Sequence, residues 1–331
     1  MAIDWKKLRH RGEWLALRTL QAIIPLLPRS LCHLVANGCG FLGSHLHREG
    51  RDVAVDNLER CFGDELTPAR RRQLVRESYQ HFARAMADLF WSPRLTPANL
   101  SEYVDVSDLD RLKREGGADR GAIFACLHYG GFEWIALALG LSGIRCTVVT
   151  QGFKNPLLNP IFKDVREVSG HQTVRREGAM LRLYKALQAE RSVTLAVDLT
   201  VSAKLPSVPI SCFGLQTCVT FAHAWLHKRT GAPIIPTHCE PVADGRYRLV
   251  LHSPLEIAPG ATHQQIAQAC WDRFEPVVRR HPAPWLWMYK HWRYRPAGAE
   301  RPYPAYANES HHFRRLLARM EKEKVSAASA S

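Results

Sequence analysis

In the stretch AIFACLHYGGFEWIALALG, residues 122–140, His128 and Glu133 stand five positions apart around Gly130 and Gly131. An imidazole beside a carboxylate is a general base: the acid fixes the tautomer and stabilises the cation, while the second ring nitrogen takes a proton from a hydroxyl. Five residues along a regular helix would not bring the pair together. Two glycines permit a tight turn that folds the start of the next helix back onto the strand end. The same spacing recurs at His47 and Asp52, so the setting has to distinguish the two pairs. AIFACL reads as a buried strand and the run after Glu133 as a helix, and open α/β sheets place their ligand crevices at the carboxyl ends of strands. The competing reading is a histidine satisfied inside the core.

Rival chemistries find less support. No GxSxG elbow is present, and Cys126 would share its strand face with the core, where a thiol is inert. The nine cysteines are scattered, odd in number and free of any CxxC pair, which reads as a reduced set. Sixteen histidines contain no HExxH, and His45/His47 and His311/His312 lack a complementary ligand cluster. No metal and no cofactor is therefore expected. Direct attack by an acceptor hydroxyl, with no enzyme nucleophile, fits best.

The elements that must hold such a site follow from periodicity. Residues 1 to about 100 read as helical, with Thr67 as a cap, Pro68 at the first helical position, and Leu74, Ser78, Phe82, Met86 and Phe90 along one face. Arg70, Arg71 and Arg72 sit on that first turn, either as a solvated start or as a phosphate contact. Beyond residue 120, strand-like runs (AIFACL, IRCTVVT, SVTLAVD, APIIPTHCE, YRLVLHS) alternate with helical ones (NPLLNPIFKDVREVSG, GAMLRLYKALQAE, CVTFAHAWLHKRTG, THQQIAQACWDRFEPVVRRH). The last opens on the capping-box spacing Thr262 to Gln265. This alternation predicts an α/β fold with a parallel sheet behind a helical N-terminal section, while EKEKVSAASAS at the end reads as unstructured.

The chain has 331 residues, 46% of them hydrophobic, and a net charge of +14. That balance favours polyanions, anionic lipid surfaces or acidic proteins as partners. From Trp14 to Leu46 the chain is apolar on average but broken by Arg18, Gln21, Pro25, Pro28 and Arg29, so it reads either as packed core helices or as helices lying in a membrane interface. Trp285, Trp287 and Trp292 alternate with Lys290, Arg293 and Arg295. Base stacking, a membrane rim and plain core aromatics are all compatible with that pattern, and the core reading is the simplest.

LHYGGFEW resembles the HxxxxE block of the lysophospholipid acyltransferase superfamily, and more of the chain resembles the late acyltransferases of lipid A biosynthesis. The similarity runs through AVDNLERCFGDELTPARRRQLVRESYQHFAR, KNPLLNPIFKDVRE, VTLAVDLT, CFGLQT, TGAPIIP and PWLWMYKHWRYRP. Two departures stand out: Gly131 where the family commonly has Asn, and Asp198-Leu199 where it commonly has Asp-Gln or Asp-His.

The resemblance implies a mixed, mainly parallel sheet flanked by helices, with membrane-interface helices over 1–46, an acyltransferase domain over 47–310 and a tail over 311–331. It implies His128 as base, Glu133 as its orienting acid, and Arg166 as a contact for substrate phosphate or a developing oxyanion. Asp198 would point into the crevice, and Phe213, Gly214 and Thr217 would form a turn entering a helix whose amides suit an anion. The implied reaction moves a fatty acyl chain from an acyl carrier protein or coenzyme A thioester to a hydroxyl of a lipid A-type glycolipid. The implied location is the cytoplasmic face of an inner membrane, and no nucleic acid is expected. Alternatives are an acyltransferase for a lysophospholipid or aminolipid, and a non-catalytic basic protein binding membrane or nucleic acid.

Overall fold

A computed structural model describes residues 4–114 and 121–328. The chain opens with four long helices, α1 (Trp5–Ile23), α2 (Arg29–Leu46), α3 (Arg48–Phe62) and α4 (Pro68–Trp91). Thr67 caps α4 as expected, its Oγ1 accepting from the Arg70 amide at 3.2 Å. α2 buries Cys32, Ala36, Gly40 and Ser44, a stripe of small residues at fourfold spacing that lets its backbone lie close along α4. The opposite stripe, Leu31, Leu34, Val35, Leu42 and Leu46, is exposed. Phe82 departs from the expected buried face of α4 and is 38% exposed.

Short elements α5 (Leu100–Tyr103), β1 (Val104–Asp105) and α6 (Ser107–Arg114) lead into the alternating part. There follow β2 (Ile123–Gly130), α7 (Trp134–Leu141), β3 (Cys146–Thr150), α8 (Leu158–Arg166), β4 (Gln172–Arg175), α9 (Ala179–Gln188) and β5 (Ser192–Ala196). After them come β6 (Val208–Cys212), β7 (Leu215–Val219), α10 (Ala222–Thr230), β8 (Ile234–Pro241), β9 (Tyr247–Leu251) and α11 (His263–Arg280). α11 carries the complete capping box foreseen at Thr262 and Gln265. β10 (Tyr294–Pro296), β11 (Asn308–Ser310) and α12 (His311–Ala328) close the chain. The segment from Glu321 that read as unstructured continues α12 to Ala328, and its last three residues lie outside the described ones.

Seven strands form one sheet in the order β1-β9-β8-β2-β5-β3-β4, parallel except for the β8–β9 pair. The expected α/β class, mainly parallel sheet and helical N-terminal section are thus present. β2 lies at the centre and is buried on both faces, as a parallel strand flanked by helices must be. Its odd residues Ile123, Ala125 and Leu127 join one core with residues of α3, α9, α10 and α11, while Phe124 and Cys126 join another with α6 and α7. Trp285, Trp287 and Trp292 are fully buried, which selects the core reading of that aromatic run. Among the described residues no helix is long and apolar enough to cross a membrane.

Candidate active site

His128 stands near the carboxyl end of β2. Pairing with β5 is in register through Ala125–Leu195 and Cys126–Ala196, so two residues further on His128 comes level with Asp198. The Asp198 side chain is fully buried and that of His128 is 21% exposed. Asp198 Oδ1 lies 2.8 Å from His128 Nδ1, and its Oδ2 accepts from the His128 amide at 3.0 Å and from Trp285 Nε1 at 3.1 Å. An ionised carboxylate only accepts, so Nδ1 carries the proton and Nε2 keeps its lone pair. Burial alone would lower the His128 pKa, but the charge and hydrogen bond of Asp198, with Glu133 behind them, raise it above the ordinary imidazole value. Burial pushes Asp198 up, and His128 with its hydrogen bonds more than offsets this, holding the carboxyl below its usual range.

The expected partner of His128, Glu133, is turned elsewhere. Its carboxylate takes a bidentate pair from Arg166, Nε to Oε2 at 2.9 Å and Nη2 to Oε1 at 2.5 Å. The fork geometry of guanidinium makes this a strong, planar contact, and Arg166 also lies over the Phe162 ring at 5.4 Å. Glu133 still acts on His128 through its charge. The structure therefore gathers His128, Asp198, Glu133 and Arg166 at one strand end, with the contacts distributed differently from the sequence expectation.

The turn between is made by backbone. Gly130 has φ of 55° and donates its amide to Pro284 O, and the Gly131 amide goes to Cys239 O. A Cβ at Gly130 would meet Cys239 O at 2.3 Å, and one at Gly131 would meet the Tyr247 ring at 2.9 Å. Tyr247 thus occupies the space that the Asn common at position 131 in the family would need, and α7 starts at Trp134 with Glu133 as its cap residue.

Phe213 and Gly214 do not enter a helix. They form the two-residue turn of the β6–β7 hairpin, with φ of 50° and 75°, the conformation that closes such hairpins. The Phe213 amide is already given to Glu275 Oε2 at 2.8 Å, so it is not free for an anion. The Phe213 ring instead stacks on Trp285, behind the indole that holds Asp198. Thr217 is buried on β7 and donates to His291 O at 2.8 Å. His291 also stacks on Trp285 at 3.9 Å, with burial pushing its pKa down to about 4. Cys126 is buried and its thiol pKa is pushed well up by that burial, which leaves no nucleophilic thiolate beside His128. No group of metal-ligating side chains occurs among the described residues.

Residues missed in the sequence support this arrangement from afar. Asn57 on α3 donates to Trp287 O and Tyr289 O, and Ser78 on α4 to Trp285 O. Asn57 was visible as a polar residue within the apolar stripe Val53, Ala54, Leu58 and Cys61, a pattern that calls for a buried polar partner. Behind Trp134, Arg29 and Asp88 form a buried bidentate pair of 2.7 and 2.9 Å, to which His33 and Tyr247 add bonds of 2.9 and 2.8 Å.

The phosphatidylinositol mannoside acyltransferase of Mycolicibacterium smegmatis is 27% identical over 221 residues, 66% of this chain and 72% of the relative. Its namesake from Mycobacterium tuberculosis strain H37Rv is 25% identical over 297 residues, covering 88% and 89% of the two chains. The lipid A biosynthesis lauroyltransferase of Escherichia coli K12 is 22% identical over 302 residues, covering 89% and 95%. The description "Bacterial lipid A biosynthesis acyltransferase" matches residues 2–294, a span holding every site residue named above, and the chain belongs to that acyltransferase family.

Proposed function

We propose that the protein transfers a fatty acyl chain from an acyl thioester, on acyl carrier protein or coenzyme A, to a hydroxyl of a phosphorylated, lipid A-type glycolipid. The observation that carries the chemistry is the His128–Asp198 pair near the carboxyl end of β2, which leaves Nε2 as a base. Nε2 takes the proton of the acceptor hydroxyl as its oxygen attacks the thioester carbonyl. The tetrahedral intermediate then collapses, the C–S bond breaks, and the thiolate leaves with the proton returned by the imidazolium. Asp198 is the positioning residue that stabilises this cation. Glu133 keeps two N–H groups of Arg166 occupied, and the remaining guanidinium donors serve the oxyanion or an acceptor phosphate. Phe213 and Thr217 support the Trp285 layer behind the site rather than touching substrate.

Relatives named for lipid A and for phosphatidylinositol mannoside acylation share a sugar-bearing, phosphorylated lipid, and the net charge of +14 suits that acceptor and an acidic carrier. The higher identity to the mannoside relatives makes such a glycolipid the second reading. The purified protein is supplied with acyl carrier protein thioester and either under-acylated lipid A precursor, a phosphatidylinositol mannoside or a lysophospholipid, and one added acyl mass is sought. Transfer to a glycolipid is expected. Transfer to the lysophospholipid alone would remove the glycolipid assignment. In the same assay Arg166→Lys should keep part of the activity and Arg166→Ala less. A larger loss on phosphorylated than on dephosphorylated acceptor assigns Arg166 to phosphate, and an equal loss assigns it to the carbonyl.

The protein is proposed to sit on the cytoplasmic face of an inner membrane through α1 and α2. Leu31, Leu34, Val35, Leu42 and Leu46 share one exposed stripe, and Trp5 and Leu15 of α1 are exposed as well. Burying each such side chain in lipid contributes about 1.5–3 kcal/mol. Replacing Leu34, Val35 and Leu42 together by Gln should lower partitioning onto vesicles at least about tenfold, measured by flotation, whereas high salt alone should release only part of the wild type. Unchanged flotation of the triple variant would place the membrane seat elsewhere.

A further inference from the structure

A cavity of about 500 Å³ opens between α4, the end of β8 and the end of α11. Arg70 and His81 line it from α4, Arg280 and His281 from the end of α11, and Tyr129 and Pro284 from behind. Tyr129 follows His128 on β2, Pro284 precedes Trp285, and Tyr129 and Trp285 form a β-bridge. The cavity therefore backs directly onto the segment that holds the base and its carboxylate, and shares with that site Pro284, whose carbonyl accepts from the Gly130 amide. Arg280 is tied into no hydrogen bond or ion pair among the described residues. The one acid on the wall, Glu240, faces Arg248 at 3.6 Å and His238 at 3.8 Å. Arg70 is shared with Glu77 at 3.2 Å, burial holds His81 neutral with its pKa down to about 3, and Glu240 lies within the field of Arg280, so Arg280, in no ion pair among the described residues, is the main cation left for a ligand to meet.

Size and surroundings narrow the ligand. The volume falls in the range of small-molecule sites and exceeds what a lone phosphate needs, leaving room for the glycerol or sugar that carries it. On the rim, Ala243 belongs to a turn whose Gly245 carbonyl accepts from Arg29 Nη1 at 2.6 Å, at the first residue of α2. The next turns of α2 expose Leu31, Leu34 and Val35, and Phe82 beside His81 is also exposed. A basic opening thus adjoins an apolar surface. We infer that this cavity is a second anion site, which takes the phosphate-bearing headgroup of a phosphorylated lipid whose acyl chains lie along the exposed side of α2. It deepens the acceptor reading above and rests on it for the identity of that lipid as substrate.

The test uses the full-length protein in nonionic detergent, titrated calorimetrically with dihexanoyl phosphatidic acid, with dihexanoyl glycerol and with inorganic phosphate. Saturable binding of the phosphatidic acid is expected, with weaker binding of inorganic phosphate and none of the diacylglycerol. Arg280→Glu should weaken the phosphatidic acid about tenfold or more, because a charge-assisted contact becomes a repulsive one, and Arg280→Lys should weaken it less. His128→Ala should bind it like the wild type, so binding stands or falls separately from acyl transfer. Equal affinity in Arg280→Glu and wild type overturns the inference, as does inorganic phosphate binding as tightly as the lipid. A rise in KM for acyl carrier protein thioester in Arg280→Glu, with lipid binding intact, would make the cavity a protein-docking surface instead.

Discussion

His128→Ala, with the fold intact by circular dichroism, should lose about two to four orders of magnitude in acyl transfer, the range for removing a positioned general base. Asp198→Asn should lose about as much, because an amide can present its NH₂ to Nδ1 and so favour the tautomer with its proton on Nε2, where no proton can be accepted. The pH profile separates the two residues. His128 must be neutral to act, and its pKa is raised above the ordinary 6.5 chiefly by Asp198 working against burial. The acid limb of kcat/KM in the wild type therefore lies above pH 6.5, and in Asp198→Asn the residual activity should show that limb displaced to lower pH. Glu133→Ala removes only a more distant charge and frees Arg166, so its loss should be smaller. Near-normal thioester turnover in folded His128→Ala, or an unmoved acid limb in Asp198→Asn, would end this assignment.

Arg29→Ala should be among the most destabilising single changes in the chain. Asp88 is almost wholly buried, and the guanidinium supplies both of its bidentate bonds while lying over the Trp134 ring at 4.7 Å. Breaking a buried ion pair from one side typically costs about 3–5 kcal/mol, because the orphaned charge stays desolvated. Arg29→Met combined with Asp88→Leu should recover much of the loss, and thermal melts of the single and double variants check this. The pair also sets an acid sensitivity. Burial raises the Asp88 pKa, but the hydrogen bonds from His33 and Arg29 outweigh it and lower the value overall. A carboxyl with a depressed folded pKa stabilises fully above its unfolded value and loses that stability as pH falls through the folded one. Arg29→Ala should accordingly blunt the acid-induced drop in Tm. A melt within a degree or two of wild type would show that the pair contributes little.

Removing residues 1–46 would be a poor test of membrane attachment for the same reason, since it takes Arg29 and His33 away from Asp88. The sequence marked the N-terminal break points but carried no sign that Arg29, directly after Pro28, serves the core. His128 was legible because its apolar flank makes a recognisable buried strand. Its partner was not: Glu133 is the nearest acid along the chain, whereas Asp198 is brought beside the ring by parallel pairing across 70 positions, and strand register is invisible to local spacing. The β6–β7 hairpin was missed because CVTF is a short apolar run, for which strand and helix periods cannot be told apart. Long amphipathic or capped helices such as α4 and α11 were read correctly because their signals are local.

The loop after Pro284 fixes when the site can exist at all. Trp285 supplies the third hydrogen bond to Asp198, and its own carbonyl is gripped by Ser78, with Asn57 holding the next turn. These contacts span 87, 207 and 230 positions of chain. Such separations make loop closure slow relative to helix formation. Until residue 285 is made, Asp198 lacks the Trp285 donor that completes its three hydrogen bonds. On the proposed reading of the site, a chain ending before residue 285 lacks the third hydrogen bond to Asp198 and should not show full acyl transfer.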